Sequence, residues 1–175
     1  MNQPTLLKID GEVESPVGLS FVDLAVLGSE HQVADVSRLA PKRQGDAVKL
    51  AGLLELVRPK PNAKYLGLHS ATDNFHASIP LDVVRDRGLV IYRVDGQPLP
   101  VKAGGPVRFF IPDHAACHTH EIDECANVKF VDHIELTATK GFDNRPHDEK
   151  SHEDLHAAEH SSANTSEKSS SPGGG

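Results

Sequence analysis

The stretch YLGLHSATDNFHASIPLD, residues 65–82, decides the fold. KYLGLHSA and FHASIP read as two strands, and TDN between them reads as their turn. Downstream, PLDVVRDRG predicts a brief helix that starts at Pro80 and ends at Gly88. LVIYRVDGQPLP is a strand that runs into an Asp95–Gly96 turn. PVRFFIP reads as a buried strand, and KFVDHIELTA as the strand that closes the domain. Upstream, TLLKIDGEV predicts an opening strand. Ser20 and Asp23 have capping-box spacing before a short helix in FVDLAVL. HQVADVS is a further strand. AVKLAGLLELV places Leu50, Leu53, Leu54 and Val57 on one helical face, and Pro59 stops the helix. Many short strands with two or three short helices predict an α+β domain with mixed β-sheets. The apolar runs 89–94 and 107–111 are expected at its centre.

The chain has 175 residues, enough for one ordinary domain with a sizeable core. Its formal net charge is -7, it has no Trp, and it has two Tyr and six Phe. That balance argues against a nucleic-acid partner, which needs a basic footprint and aromatic stacking platforms. The first residues, MNQPTLLKIDGEVESP, lack a basic region followed by an apolar stretch, and no run is long enough for a membrane span. A cytoplasmic, membrane-free protein with reduced thiols is the expectation. Composition changes at Gly141. From there to Gly175 the chain is rich in His, Ser, Glu and Asp, too polar to offset its ordering entropy, so residues 1–140 are expected to fold and 141–175 to form a disordered tail. In that tail His152, His156 and His160 share a face if a helix forms, a weak metal site; a solvated stretch is the plainer alternative.

The order of four pieces carries a resemblance. HSATDNFHASIPLD, DGQPLPVKAGGPVRFFIP and VKFVDHIEL, with LLKIDGEVESPVGLSFVDL ahead of them, resemble the molybdopterin-binding domain of the sulfite oxidase family. The likeness spans roughly residues 5–137. It implies a sulfite-oxidase-like fold, a molybdopterin cofactor carrying molybdenum, and oxo-transfer redox chemistry on a small-molecule substrate with an electron acceptor. It also implies that His69, Arg108 and Lys129 bind the cofactor, and a multiply anionic ligand then requires all three to face one cleft. For each there is a plain alternative: a core histidine, a structural ion pair, a surface lysine. Gly104 and Gly105 permit positive φ or close backbone approach ahead of the strand.

One departure stands out. Relatives that transfer oxo groups hold molybdenum through a cysteine after the strand that matches QVADVS. Here VADVSRLAPKRQG has none, and Ser37, Arg38 or Leu39 takes its place. Both cysteines instead lie in DHAACHTHEIDECANV, the segment that in the family covers the cofactor. Cys117, Cys125, His118 and His120, with His114 as a further candidate, are the candidate metal ligands. Three readings stay open: a replacement thiolate for molybdenum, a separate zinc site, or a disulfide or inert thiols. No G-x-S-x-G, P-loop, G-x-G-x-x-G or H-E-x-x-H motif occurs. A non-catalytic binding or interaction module that keeps the fold is the second functional reading.

Overall fold

A computed structural model describes residues 3–113, 121–123 and 126–145. They fall into a unit spanning Met1–Asp143 and the first two residues of a second, Asn144–Gly175.

Among the described residues the first unit holds two five-stranded sheets and three short helices. In one sheet the order is β2 (Val17–Leu19), β1 (Leu7–Gly11), β10 (His133–Thr137), β5 (Tyr65–Ser70), β6 (Phe75–Pro80). β1 and β10 are parallel, with Lys8 opposite His133, and the other pairs are antiparallel. Alternation gives this sheet one apolar face. Leu7, Ile9, Leu66, Leu68, Ala77, Ile79, Ile134 and Leu136 are all buried in the main core. Lys8, Asp10, His69, His76, His133 and Glu135 lie on the opposite face, as period-2 geometry requires.

The other sheet runs β3 (Gln32–Val33), β4 (Asp46–Lys49), β7 (Leu89–Val94), β8 (Gln97–Pro98), and β9 (Arg108–Phe110) also pairs with β7. Both faces of this sheet are covered, which explains the unbroken apolar run of β7. Val48, Val90, Tyr92 and Phe109 enter the main core. Ala47, Leu89, Ile91 and Phe110 join a smaller cluster with Val36 and Leu99. β7 is central, as expected. β9 is not: it shares one edge of β7 with β8, and its own outer edge is closed by a loop. There Phe109 N–H donates to Val128 O at 2.9 Å, and Ile111 N–H to Asn127 Oδ1 at 2.8 Å.

The helices follow local chemistry. α1 (Phe21–Ala25) starts from a reciprocal capping box: Asp23 N–H donates to Ser20 Oγ at 3.1 Å, and Ser20 N–H to Asp23 Oδ2 at 2.9 Å. α2 (Leu50–Val57) buries Leu50, Leu53, Leu54 and Val57, the predicted face, and ends two residues before Pro59. α3 (Leu81–Val84) starts from Pro80. The strand expected over HQVADVS shrinks to the two residues of β3. Asp35 there takes a left-handed conformation, φ 60°, and caps a 3-10 turn, Val36–Arg38, by accepting from Ser37 N–H. Past β10 the chain stays attached beyond the expected boundary at Gly141. Gly141 N–H donates to the buried Ser78 Oγ at 2.9 Å, and Asp143 Oδ2 accepts from Ser78 N–H at 2.9 Å.

Candidate functional site

The most unusual electrostatics surround Arg108. β9 alternation sends Val107 and Phe109 into the main core, so Arg108 and Phe110 emerge on the side of the smaller cluster. Arg108 lies across Gly104, which takes φ 95°. A Cβ at that position would stand 3.0 Å from Arg108 Nη1 and 3.0 Å from Lys129 Cγ. Only glycine lets both cationic side chains close over this spot. Gly105 shows the second kind of need: a Cβ there would meet Leu99 O at 1.9 Å. Lys129 is held by the following turn, where Phe130 N–H donates to Gly104 O at 2.8 Å.

The half-buried Arg108 guanidinium donates Nη1–H to Ala103 O at 3.1 Å, and its buried Nε has no hydrogen-bond partner. Desolvation, and then the charge of Arg43, push its pKa down to about 10. Arg43 in turn sits 5.4 Å over the Phe110 ring. Beside these residues lies a cavity of about 430 Å³, lined in part by Lys42, Arg43, Phe110, Pro112 and Asn127. Arg43, Arg108 and Lys129 thus come near one another around Gly104 and Phe110. The charge and the orphaned Nε suit an anion that accepts from both guanidinium groups and the ammonium.

On the Val36 side of the same cluster is the position where a thiolate was expected. Of its three occupants, Leu39 has no donor atom for a metal and Arg38 is a cation, so Ser37 alone offers a lone pair. Its hydroxyl is committed to Asp35 Oδ1 in a short hydrogen bond. That bond, as the leading cause, holds the Asp35 carboxyl below its usual range. An alcohol bonded to a carboxylate is a hard oxygen donor, unlike the soft thiolate it replaces.

Of the three residues expected to hold the cofactor, Arg108 and Lys129 come together and His69 does not join them. The His69 side chain lies on the polar face of the first sheet, with Nδ1 2.8 Å from His76 Nδ1 and Nε2 3.1 Å from Glu135 Oε1. Its ring centroid is 5.1 Å from that of His133. His76 is held below its ordinary pKa by desolvation and then by the His69 charge. Cys117, Cys125, His118, His120 and His114 lie outside the described residues, as do His152, His156 and His160. Among the described residues no three His, Cys, Asp or Glu side chains form a metal-binding group. Arg43 escaped the sequence reading. Its loop stood out only for lacking a cysteine, and only the fold carries it to Arg108.

The model of the oxidoreductase molybdopterin binding domain matches residues 4–144. The chain belongs to this family. Its mixed sheets and short helices are the family's sulfite-oxidase-like fold, and the crystal structure of the sulfane dehydrogenase SoxCD from Paracoccus pantotrophus has a similar fold. That likeness has a TM-score of 0.55 at 22% identity, over 77% of this chain. The chain spans 38% of that structure's chain. No curated protein matches the sequence. No described helix of this family member is long and apolar enough to cross a membrane.

Proposed function

We propose that the domain binds a phosphate-bearing molybdopterin at the Arg43–Arg108–Lys129 cluster and serves as a molybdopterin-dependent oxidoreductase with an atypical metal site. The observation that carries this is Arg108: a desolvated guanidinium with an unpartnered Nε, set beside a second arginine. A protein that burned stability on such a group without an anion to receive it would be expected to replace it. The donor set fits the anionic part of the cofactor. Arg108 and Arg43 would hold phosphate oxygens, Lys129 would add a third positive charge, and Gly104 keeps the approach open. When bound, the molybdenum centre supplies two-electron oxo-transfer chemistry. The chain's own part is to neutralise the ligand's charge and to orient it against the wall formed by Phe110 and Pro112. A small-molecule substrate and an electron acceptor complete such a reaction.

The metal end fits less well, because Ser37 is a hard donor tied to Asp35. This favours a second reading: a binding module that keeps the fold without catalysis, with zinc in the 117–125 loop as its alternative metal. One experiment separates the two. Purified protein, expressed with molybdate and zinc supplied, is assayed for molybdenum, zinc and the fluorescent oxidised pterin, beside an Arg108→Met variant. Pterin and molybdenum in equal amounts, both lost in Arg108→Met, support the oxidoreductase. Pterin without molybdenum, or zinc without pterin, supports the binding module, and absence of pterin from the parent protein sinks the oxidoreductase.

A further inference from the structure

The polar face of the first sheet carries a row of imidazoles that the cofactor cluster does not use. Register places His76, His69, His133 and Lys8 side by side on β6, β5, β10 and β1. Within the row, His69 and His76 are distinct. Their Nδ1 atoms face each other at 2.8 Å. The opposite nitrogen of each ring already has an oxygen partner: His69 Nε2 meets Glu135 Oε1 at 3.1 Å, and His76 Nε2 meets Asn74 Oδ1 at 3.2 Å.

These partners set the tautomers. A carboxylate and an amide oxygen are acceptors, so both Nε2 atoms carry the hydrogen. In the neutral rings both Nδ1 atoms then present lone pairs toward one another. Two lone pairs at this distance repel unless a positive centre joins them, either a proton or a metal ion.

We propose that His69 and His76 form a two-imidazole chelate for a divalent transition-metal ion of the Zn(II), Ni(II) or Cu(II) class. The spacing agrees with this. Two nitrogens about 2.0–2.1 Å from one ion lie about 2.9 Å apart at a right angle and about 3.3 Å apart at a tetrahedral angle. A small rotation of the rings converts the observed 2.8 Å into either. The Glu135 carboxylate on Nε2 of His69 is the outer partner that fixes a metal-binding imidazole and raises its basicity. Both ligands stand on paired strands rather than on loops, so the bite is held by the sheet. Among the described residues no third ligand converges, so the two imidazoles alone carry the site. His133 has a similar outer partner, Asp10 Oδ1 on its Nε2 at 2.6 Å, but among the described residues it does not converge with His69 and His76 as a third ligand.

The test is a titration of the full chain with nickel chloride, read by amide and imidazole proton–nitrogen correlation spectra. Paramagnetic Ni(II) should erase the amide signals of residues 69–70 and 75–76 at substoichiometric metal. Broadening in the 114–125 loop or the His-rich tail reports separate sites and is resolved by residue. In His76→Gln and in His69→Gln the loss on β5 and β6 should disappear, and in His133→Gln it should persist. With zinc chloride, the Nδ1 resonances of the two rings in the parent protein should shift together as the shared proton leaves. This reading needs no variant. Unbroadened β5 and β6 amides at excess nickel, broadening that survives both glutamine variants, or an Nδ1 proton retained at saturating zinc would each overturn the proposal in favour of a proton-sharing pair.

Discussion

Arg108 offers a test in which binding and stability move in opposite directions. Its pKa falls from the ordinary arginine range to about 10, because the folded protein disfavours the charged form. At about 1.36 kcal/mol per unit, that is roughly 3 kcal/mol of strain in a fully buried group. The side chain is half-buried, and solvent screening leaves roughly half of it, about 1.5 kcal/mol. Arg108→Met keeps the alkyl stem over Gly104 and removes the charge. It also removes the hydrogen bond to Ala103 O, worth about 0.5–1 kcal/mol. The ligand-free variant should therefore be more stable by roughly 0.5–1 kcal/mol, an upward shift of about 0.3–0.7 M in the urea midpoint. Far-ultraviolet circular dichroism is the suitable probe, since the chain has no Trp. Inorganic pyrophosphate then separates the two proteins. At a hundred times its dissociation constant it should stabilise the parent by about 2.7 kcal/mol and leave Arg108→Met unmoved. A variant that is less stable than the parent by more than 1 kcal/mol without ligand would refute the reasoning. Arg108 would then be a structural residue whose pairing satisfies it, not a charge awaiting an anion.

Ser37→Cys should raise the molybdenum-to-pterin ratio of the purified protein, because a thiolate suits that metal better than the Asp35-bound hydroxyl; an unchanged ratio places the metal ligand elsewhere. Gly105→Ala should destabilise by about 3 kcal/mol or more, read as soluble yield and thermal midpoint, since its Cβ would lie 1.9 Å from a backbone carbonyl. Tyr92→Phe should cost about 1 kcal/mol by leaving Gln32 Oε1 without the 2.9 Å bond from the phenol. Desolvation raises the Asp10 pKa, but the hydrogen bond and charge of His133, with Lys8, outweigh it and leave the net value lowered. Its stabilisation is thus full above pH 3.8 and fades as pH falls through the lower folded value. Asp10→Asn should be less stable than the parent at pH 7 by about 0.5 kcal/mol, with the gap closing in acid.

β1, β5, β6, β7, β9 and β10 were legible because each is a short apolar run bounded by Gly, Pro or Asp turns, and the Ser20–Asp23 and Asp95–Gly96 signals are local; β2, the exposed two-residue β8, and β4, whose residues 47–49 ran into the helical pattern of α2, were not. The family motif GGPVR led to Arg108, and VKF to Lys129. The side chain of His69 lies on the polar face of the first sheet, and a local signal for that was present. Leu66, Leu68 and Ser70 point into the core, so the pleat turns His69 to the other face. Arg43 had no such signal, because its meeting with Arg108 depends on how residues 40–45 lie against β9. The edge position of β9 was equally hidden: apolar content reports burial, and the loop at 126–131 buries an edge as well as a strand would.

The parallel pairing of β1 with β10 bears on how the chain is made. Lys8 and His133 are 125 residues apart (133 minus 8), so a ribosome adding about 5–20 residues per second leaves β1 waiting roughly 6–25 s for its partner. During that interval Leu7 and Ile9 have only β2 beside them, and closing the loop carries about 4 kcal/mol of chain entropy. The nascent protein therefore exposes an apolar hairpin until almost the whole domain has emerged, a window in which a chaperone that shields short strands would raise the yield of native molecules more than one acting after release.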